Sequence, residues 1–386
     1  MKQALIITEN QYPCEDAGAI RQHATAKTLE ALGYQVLVLG YGKSTAKKVL
    51  NYDGIDYISF RPNSGNKFVR ALYRVTVSNR MMRFIKKRCK KADLIMVTDV
   101  HSKTIKMISR YAKNKDTLLV HDSVEWFSTH QFKNGEKSKA YRMRDDINRN
   151  LIGRGWRVMA ISSYLEEHFA SQCDKVARIP VIMDTAAIDC NLEARAEDQK
   201  IKFAYVGSPG RKDYLKEILE AFCLLSDEQK AKIELHIVGA TEEQLKSVCG
   251  TDASTIEQLK GILTAHGRVS HDRAIAHVRD ADYTLLFRDA SLRYAKAGFP
   301  TKIVESLSCG TPPVCNLSSD LGLYLKDGEN AHIAADHSSE NIKTALEQAI
   351  NTCATSRTAM RVYARKTAEE HFDYSQYVEV LKELIQ

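Results

Sequence analysis

The chain has 386 residues, 44% of them apolar and only 7 of them proline, which is comfortable for two packed domains and excludes a disordered polymer. No apolar run approaches the length that spans a bilayer, and the opening MKQALIITENQYP reads as a strand and a polar turn rather than a signal peptide. The 9 cysteines are scattered, odd in number and never in a Cys-x-x-Cys pair, which fits a reducing cytosol and gives no zinc site. Net charge is +8 but unevenly shared: residues 1–185 carry 32 Lys and Arg against 18 Asp and Glu, a net of +14, and the remainder 24 against 30, a net of −6. The first half is therefore expected to meet something anionic.

In chain order, Ala4 to Thr8 reads as a buried strand, Ile20 to Leu32 as a helix ended by Gly33, and Val36 to Leu39 as the next strand. This unit opens a doubly wound sheet, and without a G-x-G-x-x-G it has little support as a dinucleotide site. Between the strands Tyr57 to Phe60 and Leu94 to Val97 lies a run from Lys67 to Lys91 that contains no acid. It holds Arg70, Arg74, Arg80, Arg83, Lys86, Lys87, Arg88 and Lys90, interleaved with Phe68, Leu72, Tyr73, Val77, Met81, Met82, Phe84 and Ile85. One or two amphipathic basic helices are predicted, as a surface for anionic lipid or as a solvated face. No zinc, RNA-binding or basic-zipper motif accompanies the charge, so nucleic acid is not expected.

Leu118 to His121 is a further strand, and open α/β sheets place ligands at such strand ends. His121 is the first candidate there and His101 the second, each against a plain reading as a surface or helix-capping residue. Glu125 and Trp126 join by location alone. Residues 131–157 read as polar, helical and exposed, 157–163 as a strand, 164–172 as a helix and 176–182 as a strand. The acidic, alanine-rich stretch from Met183 to Gln199 is the predicted linker.

The second half repeats the pattern. Ile201 to Val206 leads into Gly207-Ser208-Pro209-Gly210-Arg211-Lys212 and a helix from about Tyr214 to Leu225. A glycine-rich turn with two cations between strand and helix suits a phosphate. Strands follow at Glu234 to Gly239 and Ile262 to Val269, then a helix from Ser270, which reads as its cap, to Ala281. Next come a strand from Tyr283 to Phe287, a long polar loop from Arg288 to Gly298, and a helix from Thr301 to Cys309. Pro300 suits a first helical position and Gly310 the exit. Thr301, Lys302 and Glu305 share one face of that helix, with Ile303, Val304 and Leu307 available for burial. The cation suits a phosphate and the carboxylate a sugar diol, although a surface ion pair between Lys302 and Glu305 has the same spacing. Helices close the chain at Glu340 to Thr352 and Arg357 to Gln386.

The run AGFPTKIVESLSCGTPPV resembles the nucleotide-sugar segment of family 4 retaining glycosyltransferases. The resemblance implies a GT-B fold, two Rossmann-like doubly wound α/β domains facing a central cleft. They would be an acceptor-binding domain, residues 1–183, and a nucleotide-sugar domain, 184–364, with a terminal helix at about 365–386 packing back on the first. Two glutamates eight positions apart mark this segment in the family. The second falls on Glu305, implying contact with the donor ribose, and Ala297 stands in place of the first. The resemblance further implies Gly207, Arg211 and Lys212 at the diphosphate, and His121 at the donor sugar or acceptor. Gly18 would lie at the first loop, Gly239 at a strand end, and Arg268 and Val269 at the base, with Ser208, Phe299, Pro300, Thr301 and Lys302 completing the donor site. Pro180 and Asp184 match the crossing between domains.

The function so implied is retaining transfer of a sugar from a nucleotide diphosphate sugar to a glycan or lipid-linked acceptor, in the manner of bacterial surface polysaccharide assembly. The resemblance also implies a reaction without a metal, against which no D-x-D loop argues, and no cofactor is expected beyond the donor itself. The protein would be cytoplasmic, with peripheral contact to an anionic membrane through Lys67 to Lys91. A GT-B-like nucleotide-sugar epimerase and a non-catalytic nucleotide-sugar-binding partner protein are the alternatives.

Overall fold

The computed structural model describes residues 2–13, 16–43, 48–61, 66–89, 92–113, 115–210 and 212–386. The chain divides into two compact units, Met1–Asp184 with Tyr374–Gln386, and Thr185–Asp373.

The N-terminal unit runs β1 (Lys2–Thr8), α1 (Ala17–Ala31), β2 (Tyr34–Lys43), β3 (Leu50–Tyr52), β4 (Ile55–Arg61) and α2 (Lys67–Arg88). It continues with β5 (Leu94–Thr98), α3 (Ser102–Ala112), β6 (Leu118–Ser123), α4 (Lys139–Asp146), β7 (Arg157–Ala160), α5 (Ser163–Ala170) and β8 (Lys175–Arg178). Its sheet has the order β3-β4-β2-β1-β5-β6-β7-β8. All pairs are parallel except β3 with β4. β1 is apolar without alternation because both its faces are covered, and Ala4, Leu5, Ile6 and Ile7 are fully buried. Asp16 caps α1 by accepting from Ala19 N at 2.8 Å, and Gly33 follows the helix at a φ of +82° that few other residues adopt readily.

The C-terminal unit runs β9 (Ile201–Val206), α6 (Leu215–Cys223), α7 (Asp227–Ala231), β10 (Ile233–Val238), α8 (Glu242–Cys249), α9 (Ala253–Gln258), β11 (Leu263–Gly267) and α10 (His271–Asp280). After these come β12 (Tyr283–Leu286), α11 (Arg293–Ala297), α12 (Thr301–Ser308), β13 (Pro313–Asn316), β14 (His332–Ala334), α13 (Ser339–Asn351) and α14 (Ala354–His371). Its parallel sheet has the order β11-β10-β9-β12-β13-β14. A last helix, α15 (Val378–Ile385), belongs to the first unit. Arg157 holds its end, donating from Nη1 to Leu384 O at 2.7 Å and from Nη2 to Gln386 O at 3.1 Å. Buried Arg361 ties α14 to the second core by donating to the carbonyls of Asn191, Ala281 and Arg279 at 2.7–2.9 Å.

Several expectations are corrected in detail. The loop predicted from Arg288 to Gly298 contains α11, because Tyr294, Ala295 and Ala297 form a small apolar face that is buried. Pro300 caps α12 instead of opening it. Ser270 stands at the cap of α10 without making a side-chain capping bond. Residues 131–157 are not uniformly exposed, since Tyr141, Ile147, Asn148, Ile152 and Trp156 are buried. The return to the first unit falls at Tyr374, not near 365, because α14 packs along α12.

Candidate active site

In the C-terminal unit the site is built where β9 and β10 end. Gly207 has φ +144° and Gly239 φ +117°, and a Cβ on Gly239 would come 2.2 Å from Gly207 O, so the two turns touch through backbone. Lys302, from the first turn of α12, lies across Gly207: a Cβ there would meet Lys302 Cε at 2.3 Å. Its ammonium donates to Asp213 Oδ2 at 2.6 Å and to Tyr205 Oη at 3.1 Å, and Tyr205 Oη donates to the same carboxylate at 2.7 Å. Lys302 therefore reaches Asp213 across the turn, in place of a surface pair with Glu305. Burial works to raise the Asp213 carboxyl, but Lys302, Arg288 and the Tyr205 hydroxyl outweigh it and hold the group below the usual carboxylate range.

α12 presents Thr301, Lys302 and Glu305 at its partly exposed face, while Ile303, Val304 and Leu307 are fully buried. Ser306 joins the buried side, sharing a hydrogen bond with Thr284 Oγ1 at 2.5 Å and donating to Thr311 O at 2.6 Å. Glu305 lines a small pocket with Lys302, Val206 and Thr284. Burial pushes its carboxyl up to about 7, with Lys302 partly opposing. Phe299 packs inward against Tyr324 and Phe372 at centroid distances of 5.8 and 5.6 Å, and Pro300 turns the chain into the helix. Ala297 is fully buried.

Lys212 is anchored through its carbonyl, which accepts from Tyr294 Oη at 3.1 Å, and its ammonium lies 5.9 Å from the Tyr294 ring centroid. Ser208 lies between Gly207 and Lys212 on the same turn. Arg211 lies outside the described residues. Arg268 is exposed and Val269 half-buried just beyond β11. Sequence reasoning missed Tyr205, Asp213 and Arg288. Asp213 directly follows Lys212, but nothing local signals its partner 89 positions away.

In the N-terminal unit, His121 near the end of β6 lines a pocket with Asp99, Val100, Asp122, Glu125 and Arg144. Burial lowers its imidazole to about 4, with Asp122 and the Val97 backbone opposing, so the ring is neutral at physiological pH. Its Nδ1 has no hydrogen-bond partner among the described residues. Neighbouring Asp122 is buried against Arg21, which bonds it at 2.9–3.2 Å and also donates to Ile179 O at 3.0 Å. Trp126 is turned inward, donating to Asp145 Oδ1 at 2.7 Å and packing 4.3 Å from the ring of His168. His101 caps α3, accepting from Lys103 N at 3.1 Å. Gly18 sits in the first turn of α1, where a Cβ would fall 2.1 Å from Asn10 Nδ2.

Two doubly wound parallel units, the second with a glycine turn crossed by a helix-borne cation, have the GT-B architecture. Residues 192–367 match the family of glycosyl transferases group 1. Among curated relatives, an uncharacterized glycosyltransferase of Methanocaldococcus jannaschii is 24% identical over 294 residues, covering 72% of this chain and 69% of that protein. Among solved structures, sucrose-phosphate synthase from Thermosynechococcus elongatus superposes with a TM-score of 0.75 at 12% identity, over 100% of this chain and 98% of that one. Anabaena HepE in complex with UDP-glucose gives a TM-score of 0.69 at 14% identity, over 99% of each chain.

Proposed function

We propose that the protein transfers a sugar from a nucleoside diphosphate donor to a glycan or lipid-linked acceptor, with retention of anomeric configuration and without a metal in the reaction. The observation that carries this is Lys302 folded over Gly207 beside Glu305: a fixed cation and a carboxylate on one helix face, at the mouth of a glycine turn. Arg211 and Lys212 are the proposed partners of the leaving diphosphate, whose charge grows as its bond to the sugar breaks. Glu305 accepts from the ribose hydroxyls. Gly18, Gly207, Ser208, Gly239, Arg268, Val269, Phe299, Pro300 and Thr301 complete the proposed donor-binding set. His121, neutral and with its Nδ1 short of a partner, is suited to a sugar hydroxyl.

The step proposed is direct. The acceptor oxygen bonds the anomeric carbon on the same face from which the phosphate oxygen leaves, so configuration is retained, and the acceptor proton passes to the departing phosphate. The UDP-glucose complex of the fold neighbour makes UDP-sugars the first donors to test. Exposed Phe68 and Leu72 on basic α2 support peripheral contact with an anionic membrane on the cytoplasmic side, and so a lipid-linked acceptor of the kind used in surface polysaccharide assembly. Lys90 and Lys91, and the side chains of Lys67, Arg70 and Arg74, lie outside the described residues. Buried Ala297 in place of a carboxylate favours one second reading, a protein that binds the nucleotide sugar without turnover.

The test is a panel of UDP-, GDP- and ADP-sugars with and without lipid-linked acceptors. Acceptor-dependent nucleotide release is expected, lost in Lys212→Ala and in Glu305→Ala with folding intact. Epimerised donor, binding without turnover, or wild-type rates in both variants would overturn the reading.

A further inference from the structure

A second cluster of polar side chains lies on the edge of the C-terminal sheet, with no part in the reaction just described. β10 alternates, so Glu234 and His236 point to the same face. β11 is the edge strand, and its pairing with β10 slips by one residue between Ile237↔Ala265 and Val238↔Gly267. His266 is the extra residue of that β-bulge, a device that re-aims a side chain. It brings His266 Nε2 to 2.9 Å from His236 Nδ1. His277 arrives from α10, its ring centroid 4.4 Å from that of His266 and 6.4 Å from that of His236. One nitrogen from each of the three rings lies within 4.8 Å of the other two.

We propose that His236, His266 and His277 form a binding site for one divalent transition metal ion, zinc foremost, which clamps β10, the bulged edge strand β11 and α10 together. Three imidazoles suit zinc, copper, nickel or cobalt rather than magnesium or calcium, which take oxygen. A tetrahedral ion with bonds of about 2.0–2.1 Å sets ligand nitrogens roughly 3.3 Å apart. The 2.9 Å pair must therefore open slightly and the wider pairs close. The surroundings are those of a ligating histidine. Glu234 Oε2 stands 3.3 Å from His236 Nε2, so the carboxylate can hold the proton on the outer nitrogen and leave the Nδ1 lone pair facing the cluster. His277 lines an open hollow with Arg273, Arg279 and Asp280, so an ion has a way in from solvent. The nearby cation Lys202 is bonded to Asp280 at 2.6 Å, which offsets its repulsion of a metal.

The four clamp residues are not among the proposed donor-site residues, although Gly239, Arg268 and Val269 directly follow β10 and β11, so metal binding is read without the transfer assay. Protein stripped with EDTA and titrated with zinc chloride is expected to bind one equivalent per chain. Zinc a hundredfold above its dissociation constant should raise the melting temperature by about 5–10 °C. Cobalt should give the visible ligand-field bands of a nitrogen-ligated ion without a thiolate charge-transfer band. His266→Ala and His277→Ala should each weaken zinc by about 100-fold or more, and Glu234→Gln by about 10- to 100-fold, the usual cost of an outer-shell partner. The absence of saturable binding at one equivalent would overturn the clamp. So would a thiolate band, which places the ion on cysteine, or unchanged affinity in the His266→Ala, His277→Ala double variant. The wild-type titrations decide even if a variant fails to fold.

Discussion

Glu305 carries a carboxyl raised to about 7, and that single value has consequences for both donor recognition and stability. A carboxylate can accept from two ribose hydroxyls at once, whereas the protonated acid surrenders one oxygen as a donor. If only the ionised form grips the ribose, affinity follows the ionised fraction, which rises about tenfold between pH 6 and pH 8 for a group titrating at about 7. UDP-glucose is the suitable probe, since its diphosphate has no group titrating in that window. The expected result by calorimetry is a Kd that falls about tenfold from pH 6 to pH 8 in the wild type, and a weaker, flat profile in Glu305→Gln. A flat wild-type profile would remove Glu305 from ribose recognition. Stability without donor has the opposite sign. The folded carboxyl titrates above its unfolded value, so the folded state holds more protons, and this group's contribution is full below about pH 4.5 and lost as pH rises through about 7. Glu305→Gln should remove that slope from the urea midpoint.

At the scale of elements, the unit of interest is α12 locked to the β9–α6 turn. Lys302, Asp213 and Tyr205 form a closed triangle of bonds at 2.6, 3.1 and 2.7 Å, with Asp213 almost wholly buried. Removing one partner of a buried charged pair leaves the other short of its compensation. Asp213→Asn should therefore cost about 1–3 kcal/mol, whereas Tyr205→Phe, which keeps the ion pair, should cost about 0.5–1.5 kcal/mol. Urea unfolding of the two variants measures this, and equal costs would show that the ion pair is not what fixes α12. The contrast also marks what sequence can reveal. The two faces of α12 were legible because Thr301, Lys302 and Glu305 repeat at helical spacing opposite Ile303, Val304 and Leu307. The anchor of Lys302 was not, because helical periodicity carries no information about a carboxylate 89 positions away. α11 was hidden for a related reason: five residues are too few to set up a periodic signal among Arg288, Asp289, Arg293 and Lys296. The convergence of His236, His266 and His277 depends on a bulge, which shifts register without changing composition.

Across the whole molecule, the doubly wound α/β fold of each half was readable from strand runs that alternate with helical patterns. The uneven charge pointed to the N-terminal half as the side that meets an anion. On α2, the densest basic stretch of that half, one face is buried and the other is open to solvent. Val77, Met81, Met82 and Ile85 turn α2 into the core, yet Phe68 is 86% and Leu72 63% exposed. At about 100° per residue, Phe68, Leu72, Arg83 and Lys86 fall within one sector about 60° wide, opposite the buried face. An apolar pair on a basic stripe is the pattern of a helix that lies at a lipid interface, where each cation near an anionic surface adds about 1 kcal/mol. That contribution is screened as the Debye length shortens from about 10 Å at 0.1 M salt to about 3 Å at 1 M. The protein should therefore sediment with vesicles containing phosphatidylglycerol at low salt, be released as salt approaches 1 M, and ignore vesicles of phosphatidylcholine alone. Phe68→Ser with Leu72→Ser should reduce vesicle binding at low salt without moving the melting temperature, because both side chains already face solvent. Binding that resists salt, or that survives the double substitution unchanged, would mean that α2 is a solvated face and that the positive charge of this half serves another anion.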